Sequence, residues 1–130
     1  IKNGGYYGLM EAISYGSHSM GGEQIGYTCK TFPSIKGNKY LSETIVCDDI
    51  YDRLKGLISD TDVFIVQRGG IGTLSELFLC LDIIRKKKEK PSIFLIGSFW
   101  TNIFKELEYL IPEKDLFIIC DNYSEFIKKF

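Results

Sequence analysis

One segment, residues 62–76, constrains the fold of this 130-residue chain more than any other. An apolar run at 62–67 is followed by the glycine-rich stretch Arg68-Gly-Gly-Ile-Gly-Thr73, and an apolar stripe at helical spacing then continues to about Lys88. A buried strand that turns through glycines into a helix is typical of parallel α/β proteins, whose strands are covered on both faces.

The remainder of the chain shows the same alternation. β-rich apolar runs predict five strands, at 24–29, 43–47, 62–67, 92–96 and 116–120. Helical spacing predicts five helices, at 8–20, 48–59, 73–88, 100–110 and 124–130. Short connections between strands and helices predict a single α/β domain over residues 1–130, with a Rossmann-like, doubly wound parallel sheet and helices on both faces.

Two stretches depart from this regular pattern. Residues 1–5 look like the tail of a strand that runs into a glycine turn. Because a fold of this type begins with a further strand and helix of about 30 to 40 residues, we expect that N-terminal unit to be missing. Segment 30–42 is long and irregular, and it predicts a mobile flap.

Net charge and hydropathy limit the kinds of partner that the protein is expected to bind. Sixteen basic and 17 acidic residues give a net charge of −1, which offers no bulk attraction to nucleic acid or to an anionic membrane. The basic run at 85–88 lies at the end of a predicted helix, where cations are favourable and solvated. The sequence contains no signal peptide and no apolar stretch of about 18 residues. We therefore expect a cytoplasmic protein without a nucleic-acid or membrane partner.

The cysteines and the single histidine predict no metal and no cofactor. The four cysteines are scattered, without a CxxC pair, and His18 is the one histidine. Buried, reduced thiols are the expected state of Cys29, Cys47, Cys80 and Cys120.

The glycine stretch at 68–73 predicts a phosphate-binding loop. Glycines let the backbone turn sharply and approach a ligand, while the first N–H groups of the following helix attract an anion. Thr73 is expected to open that helix, to cap it and to donate its hydroxyl to a phosphate oxygen. The alternative is a glycine turn with an ordinary N-cap. A second glycine turn, at 3–8, also precedes a helix, and in a parallel sheet both turns lie at the ligand-binding carboxyl edge.

Two charged residues are candidates for catalysis. Glu76, three residues after Thr73, either closes a capping box with it or acts on a substrate beside the loop. Arg53, one turn into its helix, either pairs with phosphate in a bidentate manner or holds Glu76, and the alternative is a surface salt bridge with Asp49 or Asp52.

Together these motifs resemble the LOG family, the cytokinin-activating phosphoribohydrolases long labelled lysine-decarboxylase-like. The family signature PGGxGTxxE corresponds to Arg68-Gly-Gly-Ile-Gly-Thr-Leu-Ser-Glu76, and its upstream arginine corresponds to Arg53. The early element GGxxGLM corresponds to Gly4-Gly-Tyr-Tyr-Gly-Leu-Met10. The resemblance runs from Asn3 to about Ile96.

The resemblance implies hydrolysis of the N-glycosidic bond of a nucleoside 5′-monophosphate, giving free base and ribose 5-phosphate. It implies catalytic roles for Glu76 and Arg53. The residues that it implies for binding of the phosphate and the nucleotide are Gly69, Gly70, Gly72, Thr73, Arg68, Gly5, Gly8 and Met10. It also implies a homodimer, for which Phe78, Trp100 and Phe104 suit either an interface or the core.

Two departures from the family pattern leave a second function open. Arg68 replaces the signature proline, where it either adds a phosphate contact or points away, and Leu54 replaces a second basic residue. A related branch, resembling molybdenum-cofactor carriers, also lacks the proline, so a non-catalytic binding or carrier protein for a phosphorylated ligand is the alternative. Amino-acid decarboxylation is disfavoured, because it ordinarily needs a pyridoxal-phosphate lysine and no lysine lies in a supporting motif.

Overall fold

The protein is described from a computed structural model, which covers residues 1–33, 36–111, 113 and 115–130. Within these ranges the strands are β1 (Lys2–Asn3), β2 (Ile25–Cys29), β3 (Glu43–Cys47), β4 (Val63–Val66), β5 (Ser92–Ile96) and β6 (Ile118–Cys120). The helices are α1 (Leu9–Ser19), α2 (Ile50–Ile58), α3 (Ile71–Ile84), α4 (Phe99–Glu106) and α5 (Tyr123–Lys129).

The chain divides into two compact units, Ile1–Ser59 and Asp60–Phe130. Each unit contains a three-stranded parallel sheet, with strand order β1-β2-β3 in the first and β4-β5-β6 in the second. The predicted α/β class with parallel strands is confirmed. The strands are nevertheless distributed over two sheets, a division that hydrophobic periodicity does not encode because it reports burial and not pairing.

In the first unit the core lies between the sheet and α2. Cys29 and Cys47 are paired in register at the ends of β2 and β3, and both are buried. Leu54 and Ile58 of α2 complete the buried apolar set. Gly56 leaves room for the ring of Tyr27, which a Cβ at that position would overlap.

In the second unit β5 is the central strand, and Ile93–Ile96 are all buried, as expected for a strand covered on both faces. One face of α3 is buried through Leu77, Cys80, Leu81 and Ile84. Phe94 of β5 also packs edge-on against Phe126 of α5, with ring centroids 5.1 Å apart.

Two of the three aromatic residues considered for a dimer interface are core residues. Trp100 is 0% exposed and Phe104 is 9% exposed within the chain, so of the two roles left open for them, interface or core, the structure supports the core. Phe78 is 36% exposed and keeps a face outside the core. All four cysteines lie in the described ranges and are buried, free thiols, as predicted.

Helix α3 begins and ends earlier than predicted. It starts at Ile71 and ends at Ile84, so the basic run 85–88 follows the helix instead of closing it. Arg85 and Lys86 pair with Asp82 at 3.0 and 2.9 Å, in solvent, in agreement with a solvated basic surface. No helix in the described ranges is both long and apolar enough to cross a membrane.

Candidate functional site

Each unit has a glycine turn at the carboxyl end of a strand. In the first unit β1 leads through Gly4–Gly8 into α1, and in the second β4 leads through 67–70 into α3. Both helices begin at a glycine, Gly8 or Gly70, and within the described ranges no side chain caps their first turns. By contrast, Asp49 caps α2 and Asn122 caps α5, whereas Ser98 at the start of α4 makes no side-chain cap. The uncapped first-turn N–H groups are suited to an anionic ligand.

The turn of the first unit needs its glycines for different reasons. Gly5 and Gly8 have φ angles of 77° and 70°, which L side chains rarely adopt. Gly4 leaves room for two other side chains, because a Cβ there would overlap Nη2 of Arg53 and Sδ of Met10. The structure thus brings together the early glycine element and the arginine, which lie more than 40 positions apart in the sequence.

Arg53 is a buried residue of α2, and only 6% of it is exposed. Its Nε donates a hydrogen bond to the carbonyl oxygen of Tyr27 at 2.8 Å. Its guanidinium carbon lies 5.6 Å from the ring centroid of Phe32 and 6.0 Å from that of Tyr6. Arg53 is therefore not a surface residue, as the predicted alternative of a surface salt bridge requires, and its guanidinium lies against the Gly4–Gly8 turn.

On its other side the turn is held by the segment 36–42. Asn38, 4% exposed, donates from Nδ2 to the carbonyl oxygens of Gly5 and Tyr6 at 3.2 and 2.9 Å. Asn38 is thus buried and hydrogen-bonded within the segment 30–42, for which a mobile flap is predicted; Ser34 and Ile35 lie outside the described residues. Sequence reasoning missed Asn38, whose signal was a polar residue next to a glycine in a loop, a pattern that most loops share.

In the second unit the three glycines of the loop also differ in role. A Cβ at Gly69 would overlap Oγ1 of Thr73, so this glycine makes room for the threonine hydroxyl. A Cβ at Gly70 or Gly72 would meet no described atom within 4 Å, so the outer side of the loop is open. The threonine hydroxyl and the first-turn N–H groups of α3 are the hydrogen-bond donors that this loop offers.

Thr73 does not open helix α3, contrary to the prediction. Gly70 is the N-cap, and its carbonyl oxygen accepts the first helical hydrogen bond, from the N–H of Leu74 at 3.2 Å. Thr73 is thus the third helical residue, and it is not positioned as the N-cap of a capping box with Glu76. Glu76 lies in the second turn, not the first, and is half-buried.

The two departures from the family pattern have distinct environments. The guanidinium carbon of Arg68 lies over the ring of Phe99, 5.0 Å from its centroid, while the residue as a whole is exposed. Arg68 and Phe99 both follow a strand at its carboxyl end, next to the glycine loop. Leu54 is part of the buried core of the first unit. The basic residue of the family pattern is thus replaced by an apolar side chain that packs inward.

The ionisable groups Cys47 and Asp48, at the end of β3, have shifted pKa values. Burial, the largest cause, raises the pKa of the Cys47 thiol, and Cys29 next to it adds to the effect. A raised pKa favours the protonated form of this thiol at neutral pH. Nearby, a hydrogen bond from Lys30 lowers the pKa of the exposed Asp48 carboxyl. That pair joins the ends of the two strands in solvent.

The fold and its two glycine turns place the protein in the class of parallel α/β proteins whose strands lead through glycine-rich turns into helices. Comparison with known proteins narrows this class. The model of a family described as "Possible lysine decarboxylase" matches residues 10–130. The chain belongs to this family, and the resemblance to its LOG members is confirmed.

Named relatives support the same assignment, and a solved structure supports the fold. The cytokinin riboside 5'-monophosphate phosphoribohydrolase LOG5 of Arabidopsis thaliana is 35% identical over 143 positions, covering 99% of this chain. This chain spans only 61% of the length of that plant protein. The enzyme of the same activity name from Mycobacterium tuberculosis is 27% identical, covering 98% of this chain and 74% of its own length. The X-ray structure of TM1055 superposes with a TM-score of 0.69 at 22% identity, covering 98% of this chain and 75% of that one, which supports the fold alone.

Proposed function

We propose that the protein hydrolyses the N-glycosidic bond of a nucleoside 5′-monophosphate, releasing the free base and ribose 5-phosphate. The observation that carries this proposal is the start of helix α3. Its first turn has no side-chain cap in the described ranges, its loop is open at Gly70 and Gly72, and a carboxylate follows one turn later at Glu76. Such a start provides donors for a phosphate and a carboxylate for chemistry at the adjoining sugar.

The phosphate is assigned to the second unit. Backbone N–H groups of Gly70, Ile71 and Gly72 and the hydroxyl of Thr73 bind its oxygens, with Gly69 leaving space for the threonine. The helix dipole adds a favourable term for the negative charge. In the first unit, Gly5, Gly8 and Met10 are proposed to contact the nucleotide.

The bond cleavage is assigned to Glu76. As the bond between C1′ and the base nitrogen breaks, positive charge develops on the sugar, and a carboxylate stabilises it or orients the attacking water. The water oxygen bonds to C1′, and the base leaves with a proton. Arg53, a buried positive charge beside the glycine turn, is proposed to position the anionic substrate electrostatically.

Two other functions are less well supported. A non-catalytic carrier for a phosphorylated ligand needs the loop but not Glu76, and both relatives described above carry the name of a phosphoribohydrolase. Lysine decarboxylation, which the family description suggests, has no support from a lysine in a recognisable cofactor motif.

The test is release of ribose 5-phosphate from AMP, GMP, CMP, UMP and IMP, compared between the unmodified protein, Glu76→Gln and Glu106→Gln. Glu106 is an exposed residue at the end of α4 and serves as the matched control. We expect turnover by the unmodified protein and by the control, and none by Glu76→Gln, which should still bind nucleotide in calorimetry. Nucleotide binding without turnover in the unmodified protein would instead support the carrier.

We also propose a homodimer in the cytoplasm. The buried free thiols agree with a reducing compartment. Of the aromatic residues considered for the interface, Phe78 alone keeps substantial exposure. Sedimentation of the protein and of Phe78→Glu tests the dimer, since a charge at an apolar interface should shift the population to monomer.

A further inference from the structure

Asn38 bonds to the backbone of the Gly4–Gly8 turn at two successive peptides. Its Nδ2 donates to the carbonyl oxygens of Gly5 and Tyr6 at 3.2 and 2.9 Å. Its own N–H donates to the same Gly5 oxygen at 2.7 Å, and its Oδ1 accepts from the N–H of Tyr40 at 3.1 Å. Both ends of a buried amide are therefore used, and these bonds fix which way the side chain faces.

A second layer supports this contact from α1 and β1. Ser14, fully buried, lies 3.4 Å from the Nδ2 of Asn38 and accepts from the Nδ2 of Asn3 at 3.0 Å. Asn3 in turn accepts the N–H of Gly5 at 2.7 Å through its Oδ1. Three side chains from three segments thus form one buried polar network around a single glycine, and such networks define one backbone conformation because breaking them leaves buried groups unpaired.

Close backbone packing makes the same turn intolerant of movement. A Cβ at Gly26 of β2 would lie 2.9 Å from the Cα of Gly5. A Cβ at Gly37 would lie 3.2 Å from the carbonyl oxygen of Gly5. The turn is therefore enclosed by the strand beneath it and by the segment that carries Asn38.

The direction of these hydrogen bonds determines which backbone groups of the turn remain available to a ligand. The network engages the carbonyl oxygens of Gly5 and Tyr6, whose partial negative charge would otherwise repel an electron-rich group of a ligand. Among the described residues, the N–H groups of Tyr6, Tyr7 and Gly8 have no acceptor. At this turn the carbonyl oxygens of Gly5 and Tyr6 are therefore occupied, while the N–H groups of residues 6–8 remain available to an electron-rich part of a ligand.

We propose that Asn38, supported by Ser14 and Asn3, is a positioning residue for the nucleotide, acting by holding the Gly4–Gly8 turn in its donor-outward conformation. This rests on the proposed function for the identity of the ligand. A positioning role predicts that weakening the network lowers affinity, whereas a purely structural role predicts fewer folded molecules with unchanged affinity.

The test compares Asn38→Asp with Asn102→Asp, the same change at an exposed position of α4. The Asn38→Asp carboxylate presents an acceptor to two carbonyl oxygens, and we expect KM for AMP to rise by about tenfold or more, with kcat little changed. Lowering the pH should reduce this difference from the control, because a protonated carboxyl again donates to a carbonyl oxygen. Ser14→Ala, the second variant, should raise KM in the same direction by a smaller factor.

An unchanged KM in both Asn38→Asp and Ser14→Ala, at any pH, would overturn the positioning role. The positioning role would also be overturned if kcat fell at constant KM in proportion to the folded fraction measured by calorimetry. If the unmodified protein binds AMP without releasing ribose 5-phosphate, the hydrolase proposal fails alone, and the same comparison is made with Kd in place of KM.

Discussion

The guanidinium of Arg53 occupies the space that Gly4 leaves by having no side chain. A Cβ on Gly4 would overlap Nη2 of Arg53. The two residues belong to motifs that the sequence separates widely, and each explains the residue type of the other. A glycine is needed where the arginine lies, and the arginine keeps its position because Tyr27 accepts its Nε–H.

This relationship predicts that Gly4→Ala displaces Arg53. Overpacking of a buried site typically costs about 1–3 kcal/mol, and we expect a loss of that size in the free energy of unfolding together with weaker nucleotide binding. Urea unfolding and calorimetry measure the two effects. Gly16→Ala is the matched control, since a Cβ there meets no described atom within 4 Å and alanine favours a helix by about 0.5–1 kcal/mol. Equal stability of Gly4→Ala and the unmodified protein would contradict the packing argument.

The phosphate loop predicts that Gly70→Asp abolishes nucleotide binding without unfolding the protein. Gly70 is the N-cap of α3, its backbone is extended with φ −86°, and a Cβ meets open space. Aspartate is a favourable N-cap, so the thermal midpoint should stay level or rise. Its carboxylate, however, occupies the position proposed for the phosphate and repels it.

The variant Gly70→Asn distinguishes the effect of the added negative charge on nucleotide binding from the effect of the added side-chain volume. Asparagine caps a helix as well as aspartate does and has nearly the same volume, but it carries no charge. We expect calorimetry with AMP to show a loss of affinity at least about tenfold greater for the aspartate, because like charges within a few ångströms repel strongly. Equal AMP affinities in the two variants would contradict the assignment of the phosphate to this loop.

Local patterns predicted the elements of this fold well. The strand at 43–47 and the strand at 92–96 agree with the structure at both ends, because β-rich apolar runs were bounded by turn residues. The start of α3 was missed by two residues. A glycine N-cap provides no side-chain signal, so Thr73 was taken for the cap although Gly70 fills that place.

Side-chain environment was predicted less well than position along the chain. The spacing of Arg53 fits a surface salt bridge as well as a buried contact, and only the position of Gly4 and Tyr27 in space decides between them. Apolar residues such as Trp100 and Phe104 suit an interface as well as a core, so their type does not decide between the two, whereas their burial does. Asn38 could not be found from sequence because its partners are backbone carbonyls, which every residue has.

Buried thiols predict a loss of stability at alkaline pH. Burial raises the pKa of Cys80 to about 11, whereas a thiol in an unfolded chain ionises at about 8.5. Above the unfolded value the unfolded state releases a proton that the folded state retains, so the contribution present at neutral pH is lost as the pH rises toward 11. Urea unfolding from pH 7 to 10.5 should show a decline that is smaller in Cys80→Ala. Parallel declines in the two proteins would assign the effect to other groups.

Arg68 is predicted to strengthen phosphate binding from a position set by Phe99. Its guanidinium lies over that ring in an exposed place beside the glycine loop, where stacking contributes about 0.5–1 kcal/mol and leaves the edge N–H groups able to donate. Arg68→Ala should therefore weaken AMP binding severalfold at low salt, with a smaller loss at high salt as screening reduces the charge term. Phe99→Leu should produce part of the same loss, and the double variant should lose less than the sum, since the two residues act as one unit. If Arg68→Ala leaves the affinity for AMP unchanged at low salt, the prediction is contradicted. In that case the arginine that replaces the family's proline packs on the ring of Phe99 and points away from the ligand.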